Sequence, residues 1–160
     1  MLFWPCYLSP FIGHRYLNDT KYNGGFEISQ INEIFKAIEE DFPSFVKSFA
    51  PVAIGVNNTK AISEFEHSLG RMKPHIALSV AKTVFLSDHR RILPLITVPS
   101  FIIQSRKDAV VPKSVAFYIK MKLGSFASVK ILETEGHFPH LTAYHLLLKA
   151  LKKALISRDN

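Results

Sequence analysis

Val98-Pro-Ser-Phe-Ile-Ile-Gln running into Ser105-Arg-Lys-Asp-Ala-Val-Val-Pro, and Ser128-Val-Lys-Ile-Leu-Glu running into Thr134-Glu-Gly-His-Phe-Pro-His, decide the fold. Each is a short β-rich run that breaks into a polar, turn-forming loop. Helix spacing follows the first from Pro112 to Leu123, stopped by Gly124, and follows the second from Thr142 to Ile156. On that last helix Tyr144, Leu148, Leu151 and Leu155 form the expected buried row, with Lys149, Lys152 and Lys153 facing water. Strand, loop and helix twice over predict βα units and a parallel sheet. Two parallel strands cannot cover both their faces alone, so they are expected to be the edge of a larger sheet.

Upstream the period is helical. Ile28, Ile31, Ile34/Phe35 and Ile38 recur at helix spacing and stop at Glu39–Asp41 before Pro43. Ser44 to Ile54 carries Phe45, Val46, Phe49 and Val52/Ala53 and ends at Gly55. A third helix is predicted from Thr59, read as its N-cap, to Met72. A fourth starts at Pro74 with two apolar rows, Ile76/Val80/Val84 and Ala77/Ala81/Phe85, which predict a wide buried face. Asp88 is expected to cap a short turn, His89–Leu93. Taken alone, these four helices would read as an independent bundle. The apolar stretch Met1–Ile12 lacks a basic leader and is broken by Pro5 and Pro10. It reads as a buried strand whose partners lie elsewhere rather than as a signal peptide.

Chemistry gathers at the carboxyl ends of parallel strands. Asp108 follows the first strand and His137 the second. An acid and then a histidine on successive strand ends is the order in which α/β-hydrolases present the rest of a Ser–Asp–His triad. In that arrangement the acid orients the imidazole, and the imidazole takes the nucleophile's proton. Gly136 and the Asp-x-x-Val-Pro frame suit tight turns leaving a strand.

Several further stretches resemble one family. Arg15-Tyr-Leu-Asn-Asp-Thr-Lys-Tyr-Asn-Gly-Gly-Phe-Glu resembles the segment entering the lid of plant strigolactone and karrikin receptors, which are α/β-hydrolases. Phe49-Ala-Pro, Glu64-Phe-Glu, Met72-Lys-Pro and Thr83-Val-Phe-Leu-Ser-Asp resemble that lid. Gln104-Ser-Arg-Lys-Asp and Thr134-Glu-Gly-His-Phe-Pro-His-Leu resemble the family's acid and histidine loops. The resemblance runs from about Arg15 to the C-terminal helix.

It implies a partial α/β-hydrolase fold, with a four-helix lid over residues 27–93 followed by the last two βα units of the sheet over residues 98–157. Residues 1–14 form a divergent apolar segment, and residues 15–160 the C-terminal part of one domain. The family's acid falls on Asp108 and its histidine on His137. Its apolar pocket positions fall on Tyr16, Phe26, Phe45, Phe49, Phe65, Val84 and Phe85. Val110 stands where the family often has a small polar residue, and Phe45 where the hormone receptors usually carry a tryptophan. Both changes alter pocket volume and polarity. Phe138 and the Glu64–Lys73 stretch lean towards the receptor-like paralogues. The resemblance also implies a small apolar butenolide-type ligand hydrolysed as an ester, no cofactor, a monomer, and cytoplasmic and nuclear residence. Its protein partners would be an F-box protein and a transcriptional repressor.

The departure that matters most is that Gly-x-Ser-x-Gly occurs nowhere in the 160 residues. A domain of this class usually exceeds about 200 residues, so its early strands and part of its oxyanion hole are expected to be missing at the front. The chain as printed is therefore expected not to turn over esters. The alternatives are a non-catalytic fragment or decoy that binds a ligand or protein, and a remnant with no stable product.

Composition narrows the rest. With 48% apolar residues and 13 phenylalanines, the chain needs a core or a greasy pocket and is not disordered. No apolar run reaches membrane-spanning length. The single cysteine, Cys6, excludes a disulfide framework, and without a strand–helix elbow it reads as a buried or free thiol. His137-x-x-His140 sits on a loop without a third ligand, so no metal is expected. His14, His67, His75, His89 and His145 read as surface or capping residues. The net charge of +7 is one-sided, with 7 basic and 8 acidic residues in 1–80 against 13 and 5 in 81–160. The cations are scattered over helices without an aromatic stacking platform, so nucleic-acid binding is not expected.

Overall fold

The computed structural model describes residues 6–8 and 15–156, with side chains over 15–155. Three strands, β1 (Cys6–Leu8), β2 (Ser100–Lys107) and β3 (Ala127–Glu135), form one sheet in the order β1-β2-β3. Both pairings are parallel, with Cys6 opposite Ser100 and Ser100 opposite Ala127. The βα reading of the last third is therefore what the chain does. The apolar N-terminal strand departs from expectation, because its partner is β2 of this same chain. The rest of Met1–Ile12, the side chain of Cys6, and His14 lie outside the described residues.

Between β1 and β2 come α1 (Ile28–Glu40), α2 (Phe42–Ile54), α3 (Thr59–Gly70), α4 (Pro74–Leu86) and a 3-10 turn (Arg90–Leu95). α5 (Lys113–Lys122) joins β2 to β3, and α6 (Pro139–Thr142) and α7 (Tyr144–Ile156) follow β3. Helix boundaries follow local chemistry. Gln30 Oε1 accepts the Glu27 N–H at 2.8 Å, closing the first turn of α1. Asp41 alone separates α1 from α2. Its Oδ1 accepts the Ser44 N–H at 3.1 Å and its Oδ2 the Ser44 hydroxyl at 2.6 Å, so one residue ends one helix and caps the next. The cap of α3 is Asn58, whose Oδ1 accepts the Ala61 N–H at 3.0 Å; Thr59, expected in that role, is the first helical residue.

The helices pair as a lid, α1 against α4 and α2 against α3, rather than standing as a separate bundle. Ile31, Phe35 and Phe85 join the sheet core with Ile102, Val111, Val115 and Ile119. Each such side chain removed from water contributes about 1.5–3 kcal/mol. A second cluster, Ile38, Phe42, Val46 and Ala77, holds the lid helices to one another. At its base, Arg90 bonds Asp88 and Asp19 at 2.7 Å each and lies 4.8 Å over the Tyr22 ring. This ties the segment entering the lid to the segment leaving it.

Two buried faces differ from expectation. On α4 only the Ala77/Ala81/Phe85 side turns inward, with Val84 half-buried, while Ile76 and Val80 are 46% and 47% exposed. α1 is the main helix partner of α4, and Ala77 and Phe85 on that same side join the two apolar clusters, which leaves the Ile76/Val80 side uncovered. On α7 the inward row is Leu147, Ala150 and Leu151, continuing from buried Ala143 just before the helix, whereas Tyr144, Leu148 and Leu155 are 62%, 50% and 53% exposed. Apolar residues lie nearly all round this helix, so its period does not select a face. α7 packs on β3 and β2, and the small Ala150 is buried on that side. Among the described residues, no helix is long and apolar enough to cross a membrane.

Candidate active site

β2 and β3 run in register from Ser100/Ala127 to Ser105/Leu132 and then slip by one residue between Ser105 and Lys107. Such an irregularity re-aims the residues that follow it. Immediately beyond it lie Asp108 and, after β3, His137. Both side chains are deeply buried, 4% and 5% exposed, and His137 Nδ1 lies 2.8 Å from Asp108 Oδ2. The structure thus brings together two residues 29 positions apart that the sequence reading had paired by strand order.

Each partner is held by its own loop. Asp108 Oδ1 accepts the N–H groups of Val110 and Val111 at 2.8 and 3.0 Å, which wraps the loop around the carboxylate. Gln104 Nε2 reaches Oδ2 at 3.2 Å. On the other loop Gly136 takes φ +90° and donates its N–H to Lys107 O at 2.7 Å. The His137 N–H donates to Ala53 O, in the last turn of α2, at 2.8 Å. A methyl group on Gly136 would overlap the carbonyl oxygen of Ile54, and one on Gly55 would come within 2.6 Å of Gly136 Cα. The C-terminal end of a lid helix is therefore pressed directly onto the histidine loop, and glycine on both sides permits it.

Burial by itself would push the Asp108 carboxyl up. The hydrogen bond from His137, the imidazole's charge, and the Val111 and Val110 N–H groups outweigh it and hold the carboxyl below its usual value. A depressed folded value means that this carboxylate stabilises the fold above the ordinary aspartate range. That contribution is lost as pH falls through the folded value. Asp108→Asn is expected to cost about 1.5–3 kcal/mol at neutral pH, as for a hydrogen bond to a charged group. The deficit should narrow on acidification between about pH 5 and about pH 2, as read from urea unfolding at each pH. A deficit that stayed constant would mean that the carboxylate gains nothing from folding.

The eight apolar pocket candidates fall into two groups. Tyr16, Phe26 and Phe85 contact one another edge-on or tilted, with centroids 5.0–6.4 Å apart, and belong with Val84 and Val110 to the sheet core. Burial, and next the charge of the Asp108 carboxylate, push the Tyr16 phenol up. Phe45, Phe49 and Phe65 form a half-buried row along the lid, Phe45 on Phe49 at 5.3 Å and Phe49 near Phe65 at 6.2 Å. Phe138 continues the row, 4.7 Å from Phe65 and edge-on to the His137 imidazole at 5.0 Å. The first group lies in or against the sheet core, where Phe49 also packs, and the second row leads from the lid to the histidine. Phe45 and Phe49 also line a groove of ≈360 Å³ between α1 and α2. A hollow of ≈420 Å³ beside the Asp108 loop is lined by charged Arg106, Lys107, Asp108 and Glu135 together with Val52 and Pro112, and by none of the aromatic candidates.

Gln104, in the sequence no more than the first residue of Gln104-Ser-Arg-Lys-Asp, is 2% exposed and touches the acid. A glutamine at an inward strand position four residues before a candidate catalytic acid was the available signal. His67, His75, His89, His140 and His145 are exposed, and the described residues hold no cluster able to take a metal ion.

No family model matches the chain. Strigolactone esterase of Arabidopsis thaliana is 45% identical over 141 residues, covering 88% of this chain and 53% of that protein. A karrikin insensitive 2 receptor of Petunia hybrida is 41% identical over 138 residues, covering 86% and 51%. Among solved structures, a hydrolase from Oleispira antarctica superposes with a TM-score of 0.84 at 26% identity, over 92% of this chain and 54% of that one. An esterase from Exiguobacterium antarcticum does so at 0.80 and 20%, a likeness of fold. The chain spans about half the length of the curated relatives it matches. At 41–45% identity over nearly nine-tenths of its length, and with the fold of solved α/β-hydrolases, this chain belongs to the α/β-hydrolase family of the strigolactone esterases and karrikin receptors.

Proposed function

We propose that this chain carries the acid–histidine side and the lid of a serine-hydrolase site that takes a small, largely apolar butenolide-type ester. Asp108 is the orienting acid, and His137 the general base that would take the proton of a serine on a Gly-x-Ser-x-Gly turn. The observation that carries this reading is the buried 2.8 Å contact between His137 Nδ1 and Asp108 Oδ2 beneath an aromatic lid. That contact leaves Nε2 as the imidazole atom that would face a nucleophile. The names of the relatives support the ligand class. An F-box protein and a transcriptional repressor, recruited when the lid changes state, are the partners that go with a receptor of this type.

The 160 residues lack the serine elbow, so the chain by itself is proposed to bind ligand without turning it over. The absence of that motif equally favours the second reading, a ligand- or protein-binding product of the same family. Incubating the purified chain with an activated ester and with a butenolide-containing ester tests the proposal. The expected result is no release above buffer together with saturable ligand binding by tryptophan-independent calorimetry. Hydrolysis abolished by His137→Ala would overturn the inactive assignment. Absence of binding to butenolides would overturn the ligand assignment.

A further inference from the structure

Asp108 has more holding it than its two loop N–H groups. Gln104, on β2 and 2% exposed, donates from the same nitrogen to Asp108 Oδ2 at 3.2 Å and to Val111 O at 3.1 Å. Val111 in turn donates its N–H to Asp108 Oδ1 at 3.0 Å. The three bonds form a closed circuit running strand, carboxylate, loop and back to the strand. Within it, Oδ1 is occupied by the backbone, and Oδ2 is shared between the glutamine amide and the imidazole. A carboxylate fixed at only one oxygen can still swing about its last torsion, which is broad. A donor on the strand pins the second oxygen in the plane that meets His137. The arrangement also carries a cost, since Gln104 Oε1 is buried without a hydrogen-bond partner among the described residues, an uncommon state for a buried amide. A hydrophobic side chain at this inward position of β2 would avoid that cost.

We infer that Gln104 is a positioning residue for the acid–histidine pair: its side-chain amide sets the orientation of Asp108 so that Oδ2 faces the imidazole of His137. The inference rests on the proposed pairing of Asp108 with His137 as the working acid and base. Gln104 does not touch the reacting atoms and acts through Asp108.

Proton NMR of the full chain tests it. An imidazole N–H held by a carboxylate gives a low-field signal that exchanges slowly with water, and the unaltered chain is expected to show one for His137. In Gln104→Met, which keeps length and removes the donors, that signal is expected to be lost or to exchange at least tenfold faster while the fold is retained. A merely structural glutamine would lower the melting temperature and leave the signal unchanged, which would overturn the inference. If Gln104→Met does not fold, the unaltered chain still decides. Two protons bonded to one oxygen lie close together, so a cross-peak between a Gln104 side-chain amide proton and the His137 ring N–H is expected. Both signals present with no cross-peak would overturn the inference. A parent chain with no low-field signal at all would overturn the Asp108–His137 pairing, and the role of Gln104 with it.

Discussion

Gly136→Ala is expected to destabilise the chain by about 2–5 kcal/mol, the sum of an unfavourable backbone conformation and a steric overlap. Gly136 holds φ +90°, and a β-carbon there would collide with the carbonyl oxygen of Ile54 at the end of α2. Neither strain has an easy outlet. Gly136 N–H is bonded to Lys107 O and His137 N–H to Ala53 O, so moving the loop breaks a bond to the sheet or a bond to the lid. Gly70→Ala provides the comparison. Gly70 lies in α3 with ordinary backbone angles, and an added β-carbon would approach nothing closer than Val46 Cγ1 at 4.0 Å. That substitution is expected to be neutral or stabilising by up to about 1 kcal/mol. Urea unfolding of both variants reads the difference. Equal effects would show that α2 does not rest on the histidine loop.

The second large effect concerns catalysis. A segment consisting of a strand, a Gly-x-Ser-x-Gly turn and its helix, joined ahead of β1, is expected to confer ester hydrolysis on the chimera. His137→Ala should then remove about 10³-fold or more of that rate, because nucleophile and base act as a unit. Phe138→Ala, which leaves the acid–histidine contact in place, should lose far less. The basis is positional: Asp108 and His137 are already oriented in this chain, and β1 pairs through one edge only among the described residues. A folded chimera that binds ligand and yet turns over nothing would show that the pair is oriented for something other than a serine on that turn. Its unchanged rate on His137→Ala would show the same.

How much of this was legible without coordinates varied by element. The βα units were, because short β-rich runs, helical periods, Gly124 after α5, and turn residues after each strand are local signals. So was the pairing of Asp108 with His137, because in a parallel sheet successive strand ends are neighbours whatever the intervening helix contains. The buried rows of α4 and α7 were not. Val80 and Leu148 are as hydrophobic as their buried neighbours, and only the surface each helix meets decides which side is covered. The eight pocket candidates share one apolar character in sequence, and only the structure shows that Tyr16 and Phe85 are buried against the sheet, with Phe49 packed on the same cluster, while Phe65 carries ring contacts on to Phe138 beside the histidine.

The amino-acid sequence by itself determined the order of elements, the lid's helices and turns, and the acid and histidine at two strand ends, since each depends on residues close together in the chain. Tertiary structure alone decided that α2 presses Ala53–Gly55 onto Gly136–His137, that Gln104 closes a circuit through Asp108 and Val111, and that the strand at Cys6–Leu8 finds its partner at Ser100–Ile102. The first and the last join segments far apart in the chain, and the Gln104 circuit, though it spans only seven residues, closes only when the loop folds back onto its strand; all are set by steric fit and by the need of buried polar groups for partners.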